Sequence, residues 1–385
     1  MSKTRIVSRR KELSEAGFTM IELLVAMAIF SIIAAAAFSL FAQHVPLFNQ
    51  QQSLAALNIG TRNAVAQMQV DVVNGGAGYY NGVNIPGWPV GTVITNNVVA
   101  SSGDCHSGTT YGANCFDSFA IIIADPLTTP VNVLAGTSGS LPVVPNTCPA
   151  TTTNTSTSTN LYLLPPTGVT AATYKGNFFN GDQILLEKGD GSSYTTVELT
   201  ANGATATVGG TTYVKLTHST LTNADGTNDP SDDVTGMSVH SSDSTTAQFC
   251  QTDWAIRLTP ILYDVDITTD STNPTLRRTV LVKGQTPSAN GVPLLSQVIG
   301  LKVGAALING ATDTTTYNFN APGSVVSGGY NYDFTLVRSI MVSLVGRTTP
   351  VTDPTYRFRN TYDGGPYQIQ GVSAVINPRN LSMGD

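Results

Sequence analysis

Charge is what this chain has least of: only 11% of its 385 residues are Asp, Glu, Lys or Arg, against about 25% in an ordinary soluble globular protein. Basic residues are the scarcer sign. Five of the 19 and two of the 25 acidic residues fall in the first 17 positions, so the remainder carries 14 basic and 23 acidic side chains, a net of −9. Non-specific nucleic-acid binding is largely neutralisation of phosphates by Lys and Arg, so a nucleic-acid partner is disfavoured. Cysteine is sparse as well: Cys105, Cys115, Cys148 and Cys250 are the only four. None lies in a C-x-x-C pair, which argues against a zinc ribbon and a thioredoxin-like centre. The chain has no H-E-x-x-H, G-x-S-x-G, P-loop or G-x-G-x-x-G motif, and its histidines, His44, His106, His218 and His240, are scattered. A Ser-His-Asp group assembled by folding is recognised by geometry rather than sequence, but a lone histidine is more often structural. The expectation is a protein that is not an enzyme and that holds no cofactor.

What the chain does have lies near its start. A basic leader with Lys3, Arg5, Arg9, Arg10 and Lys11 runs to Gly17, and Phe18 to Ala42 follows with a single ionisable side chain, Glu22. At 1.5 Å per helical residue such a run crosses a hydrocarbon core of about 30 Å. The basic leader is expected to stay cytoplasmic and the rest to be exported. A secretory signal peptide would carry a shorter apolar run followed by its small-residue cleavage site; here the run is longer and the small residue, Gly17, precedes it. A plain signal anchor fits the basic leader but leaves Glu22 without a reason, and an ionisable group in a membrane helix is rare and usually partnered.

The segment Gly17-Phe18-Thr19-Met20-Ile21-Glu22-Leu23-Leu24-Val25 resembles the processing motif of type IV prepilins. The resemblance implies that a membrane-embedded prepilin peptidase cuts between Gly17 and Phe18 and methylates the new Phe18 amine. It also implies that Glu22 meets the N-terminal amine of a neighbouring subunit during assembly. Fainter matches follow at Thr275-Leu276-Arg277-Arg278, at Pro293 to Val303, and at Val337 to Thr348. They are similar to the PilW-type minor pilins. The implied fold is α+β and pilin-like: a long N-terminal helix, membrane-spanning in its first half, packed on a large antiparallel β-rich head. The implied function is that of a minor pilin that initiates or caps a type IV pilus with other minor pilins and the major pilin. A J-type minor pseudopilin of type II secretion shares the order of elements but is generally much shorter. An adhesin whose middle region contacts surfaces is a further alternative. Major pilins usually carry Gly or Pro in the membrane half of the helix, whereas this chain has Ser31 and Ser39 there and its first proline at Pro46. The implied location is the bacterial inner membrane with a periplasmic head, then the filament or its tip.

On this reading residues 1–17 form a removable leader, 18–76 the assembly helix and 77–385 the head, with a poorly placed region at about 79–173. Leu54, Leu57, Val65, Met68 and Val72 recur at helical spacing, so the second half of the helix is expected to lay an apolar stripe on the head. Asn74-Gly75-Gly76 supplies the stop. Beyond it, short β-branched runs bounded by Gly, Asp and Asn predict strands at 119–123, 183–187, 194–199, 213–216, 254–258, 261–265, 279–282 and 334–345. Pro293 to Ile299 suggests a short helix with a leading proline. The polar tract Ala150 to Asn160 reads as an exposed loop. In an exported chain the cysteines predict two disulfides, with three possible connectivities. The short, turn-rich loop between Cys105 and Cys115 favours that pair and leaves Cys148 with Cys250. The acidic stretch holding Asp225, Asp229, Asp232 and Asp233 offers oxygen ligands suited to calcium. It lacks EF-hand spacing and reads first as a solvated turn.

Overall fold

The computed structural model describes residues 18–78, 91–96, 106–107, 110–112, 115–134, 160–187, 189, 194–208, 210–218, 253–280, 291–309, 312–313, 317, 337–351 and 356–378. The apolar run becomes one 54-residue helix, α1 (Met20–Val73), with Pro46 inside it. The chain divides into two units, Met1–Ala55 and Ala56–Asp385. In the first, α1 is long and apolar enough to cross a membrane, and its most apolar stretch is wholly unburied. Ser31 sits in that stretch without an unmet donor, because its hydroxyl bonds back to the Met27 carbonyl at 2.7 Å.

In the second unit the helix changes character. Leu57, Thr61, Ala64, Val65, Met68 and Val72 are buried while Ile59 and Val70 stay exposed, the one-sided stripe of a helix lying on a core. The helix stops at Val73, and Gly76 takes a φ of 71°, the left-handed conformation that glycine accepts without a Cβ clash.

The strands are, in order, β1 (Thr92–Thr95), β2 (His106–Ser107), β3 (Thr110–Tyr111), β4 (Ser118–Ala124), β5 (Val131–Leu134), β6 (Asn160–Leu163), β7 (Gln183–Glu187), β8 (Tyr194–Glu198) and β9 (Ala204–Val208). They continue as β10 (Thr211–Thr217), β11 (Trp254–Asp266), β12 (Thr275–Val280), β13 (Val292–Ser296), β14 (Val298–Asn309), β15 (Thr312–Asp313), β16 (Val337–Arg347) and β17 (Ile369–Ile376). A short helix, α2 (Ala171–Tyr174), precedes β7, with Thr170 as its cap. The larger sheet follows the path β1-β4-β11-β5-β6-β10-β9, with β12 and β7 also pairing β11; the smaller has the order β15-β14-β16-β17. Among the described residues every pairing between these strands is antiparallel, and an isolated parallel bridge joins Phe116 to Leu301.

The expected strands at 254–258 and 261–265 are one strand, β11. Its partner on one edge changes from β7, which ends opposite Leu258, to β12, which starts opposite Ile261. Pro260 falls in that gap, where a missing N–H breaks neither ladder. The expected helix at Pro293 to Ile299 is instead a strand, a kink and a second strand. Gln297 sits at the kink with a φ of 59°. A leading proline suits the first turn of a helix, but it equally suits an edge strand, and among the described residues β13 pairs only with β12.

One core joins α1 to both sheets, bringing Met68 and Val72 together with Phe119, Tyr263, Leu301 and Val342. A second core, with Val133, Leu163, Tyr174, Ile184, Leu216 and others, lies among β5 to β10 and α2. Strand β7 serves both: Ile184 and Leu186 face the second core and Leu185 the first. That two-sided burial explains its unbroken apolar run.

Candidate processing and assembly segment

Helix α1 begins two residues after Phe18. Thr19 is its cap, and the three positions from Met20 to Glu22 complete a reciprocal arrangement. The Glu22 carboxylate accepts from the Thr19 N–H at 2.9 Å and from its hydroxyl at 2.8 Å, while the Thr19 hydroxyl oxygen accepts from the Glu22 N–H at 3.3 Å. This is a capping box, Thr-x-x-Glu, satisfying two of the backbone donors that every helix start leaves without a partner. The carboxylate also complements the positive end of the helix dipole. Glu22 therefore has a local structural reason within one chain, and a plain anchor would have the same use for it. The spacing of Thr19 and Glu22 is itself the sequence signature of that box.

Around it the surface is apolar. Phe18 is 90% exposed, and Ile21, Leu24, Val25 and Phe30 are exposed with it. Phe18 thus opens an exposed stretch of the described residues; Gly17 and the residues before it lie outside them.

The helix meets the head through charge as well as packing. Asp71, near the C-terminal end of α1, where an acid opposes the helix dipole, accepts from Arg278 Nε at 2.6 Å and from the Tyr263 hydroxyl at 2.5 Å. Burial, and then the Asp71 hydrogen bond, push the Tyr263 hydroxyl above its ordinary range. A second arginine, Arg257, bridges Asp125 at 2.6 Å and Asp182 at 2.9 Å. A third, Arg277, pairs with Asp264 and Asp266. Burial acts to raise the Asp266 carboxyl, but hydrogen bonds from Thr268 and Thr269 and the Arg277 charge outweigh it and hold it at about 2. Arg347, 1% exposed, lies between the rings of Tyr111 and Tyr367 and donates to Gln297 and to the Thr272 carbonyl, each at 2.7 Å. Arg277, Arg278 and Arg347 lie in segments quoted above for their resemblance, whereas Arg257 does not; Arg278 and Arg347 tie elements far apart in the chain.

Of the other expected residues, Cys115 is disulfide-bonded; Cys105, Cys148 and Cys250 lie outside the described residues, so its partner is not placed. Asp225, Asp229, Asp232 and Asp233 also lie outside them, as does His240. His218 is buried and bridges to Leu199, whereas His44 is exposed on α1. Among the described residues no group of three or more His, Cys, Asp or Glu could hold a metal ion. A cleft of about 370 Å³ opens beside Pro260, lined by Arg257, Arg278, Asp125 and Leu127 among others. The two guanidinium groups there are already engaged by carboxylates.

Residues 13–38 match the prokaryotic N-terminal methylation motif. The chain carries a prepilin-type N-terminus. The matched residues take in the end of the leader, Gly17, Phe18, the Thr19 and Glu22 capping box and the first turns of the apolar helix. A type IV-like pilin, TTHA1219 from Thermus thermophilus, is similar over 55% of this chain and 93% of its own, at 10% identity and a TM-score of 0.19. No curated protein sequence matches the chain.

Proposed function

We propose that this protein is a minor pilin of the PilW type, which assembles with other minor pilins to initiate or cap a type IV pilus. The observation that carries the reading is the methylation motif at residues 13–38 running straight into an exposed apolar helix. In this scheme residues 1–17 are the leader that prepilin peptidase removes, 18–76 the assembly helix and 77–385 the head. The subunit waits in the inner membrane with its head in the periplasm. Cutting at Gly17-Phe18 places a new amine next to Thr19, at the positive end of α1. Release of Glu22 from Thr19 then lets its carboxylate pair with the amine of a neighbouring subunit, which sets axial register as well as adhesion between helices. The size of the head, much larger than a major pilin's, supports a low-copy subunit rather than the repeating one.

The deciding experiment is intact-mass and N-terminal peptide analysis of the membrane-extracted protein from strains with and without prepilin peptidase. A chain starting at N-methylated Phe18 only when the peptidase is present is the expected result. An uncut leader in both strains would make the protein an ordinary anchored one. Deletion of the gene then separates the machines: loss of surface pili supports the minor pilin, whereas intact pili with lost secretion would make it a minor pseudopilin.

A further inference from the structure

Two loop ends and one strand bring an amine, a carboxamide and a carboxylate together inside the head. Asn96 directly follows β1 and Asp117 directly precedes β4. The ladder between those strands ends at Thr95 opposite Ser118, so Asn96 and Asp117 come next, one on each chain. Both lie against β14, which is joined to this region by the bridge between Phe116 and Leu301 and by the Asp117 N–H donating to the Leu301 carbonyl at 2.9 Å. Asp117 is completely buried and Asn96 is 8% exposed.

The contacts are specific to each oxygen. Asp117 Oδ1 accepts from Lys302 Nζ at 2.8 Å, and Oδ2 accepts from Asn96 Nδ2 at 2.9 Å and from the Val303 N–H at 2.9 Å. Asn96 Nδ2 also donates to the Val303 carbonyl at 2.8 Å. One buried carboxylate thus holds a primary amine on one oxygen and a carboxamide on the other. The Lys302 side chain is 35% exposed and the Asp117 carboxylate fully buried; an ion pair alone would need only those two, and one that desolvates its carboxylate is a poor source of stability. Holding the reacting groups against a buried proton carrier is what lowers the barrier to a reaction between them.

We propose that Lys302 and Asn96 are joined by an intramolecular amide bond, formed spontaneously after folding with Asp117 as the proton carrier. Asp117 takes one proton from the Lys302 ammonium, and the electron pair of the neutral amine forms a bond to Cγ of Asn96. A second proton from the same nitrogen passes through Asp117 to Nδ2 as the bond between Cγ and Nδ2 breaks. Ammonia leaves and carries off the first proton as ammonium. Total charge is conserved, and no oxidant, reductant or co-reactant is needed. The product ties the end of β1, in the larger sheet, covalently to β14, in the smaller one. This inference stands whether or not the chain is a pilin.

The test is peptide mapping of the full-length protein, extracted in detergent and digested with trypsin after disulfide reduction. A branched peptide joining Lys302 to Asn96, lighter by one ammonia than its two parts, is expected in essentially all of the folded protein. It should vanish in Lys302→Arg, which keeps the positive charge beside Asp117 and so tests the bond rather than the fold, and in Asp117→Ala. Cleavage after Lys302 together with an intact Asn96 peptide in the unmutated protein overturns the proposal. So does a link to Asp117 with loss of water, or an ammonia loss that maps to an Asn-Gly step such as Asn180-Gly181.

Discussion

A carboxylate and a carboxamide at position 22 would accept the same hydrogen bonds from Thr19, since Gln serves in a capping box as Glu does. They differ in charge. Glu22→Gln should therefore leave α1 capped and cleavage intact while filament-borne protein falls to the level seen with Glu22→Ala, read by immunoblot of sheared filaments. Incorporation that survives in Gln and fails in Ala would mean that the cap, not the charge, is what assembly requires. Asp266 offers a second test at the same scale. Its folded carboxyl is held at about 2, below the ordinary 3.8, so the charged form contributes stability that is present in full above the unfolded value and is lost as pH falls toward 2. Asp266→Asn should cost about 1 kcal/mol near neutrality after allowance for solvent screening. In unfolding titrations its gap from the unmutated protein should close between pH 4 and 2; a constant gap would remove ionisation as the cause. Neither residue pairing was equally legible. Thr19 and Glu22 are three positions apart, within reach of sequence reading. Asp71 and Arg278 are 207 apart, and no local pattern announces such a pair.

Period and turn chemistry located α1, β11 and β16, whereas β1, β5, β6, β9 and β17, short or rich in Gly, Thr and Ala, were not read as strands. The stripe on α1 came through because Leu57, Val65, Met68 and Val72 keep helical spacing, and the stop at Gly76 because glycine tolerates its φ. Strands β4, β7, β8 and β10 were similarly visible in their β-branched runs. Strand β14 was not legible: its first residues fell in the expected helix, and Gly300, Gly304, Ala305 and Ala306 give it low strand propensity that its pairing with β16 overrides. Its start was hidden further by Gln297, whose left-handed turn divides one apolar run into two strands. The side chain compensates for the strain, with Nε2 donating to Asn273 at 2.9 Å and Oε1 accepting from Arg347 at 2.7 Å. The packed end of α1 yields its own prediction. Met68 is fully buried and Val70 is 57% exposed. Met68→Ala should destabilise the head by about 2–5 kcal/mol and Val70→Ala by no more than about 0.5 kcal/mol, measured by denaturant unfolding of the detergent-extracted protein. Equal effects would contradict the one-sided packing.

Over the whole molecule the cysteines are expected to act as staples. Peptide mapping without reduction should find Cys105 linked to Cys115 and Cys148 to Cys250, and Cys115→Ser should cost about 2–4 kcal/mol; any other connectivity would refute the pairing. The segments holding the other three cysteines gave no periodic signal, since they are polar, Gly- and Thr-rich stretches without an apolar face. The two cores give the last consequence. Among the described residues α1 contributes side chains to the first core and none to the second. Tension drawn along α1 would enter the head through Met68, Val72 and the Asp71 to Arg278 pair, and pass into β11, β12 and the smaller sheet. The block from β5 to β10 lies beside that route, tied to it by β7 and β11. Load on α1 would reach that block second-hand, through those two strands, and not through a contact of its own with the helix core.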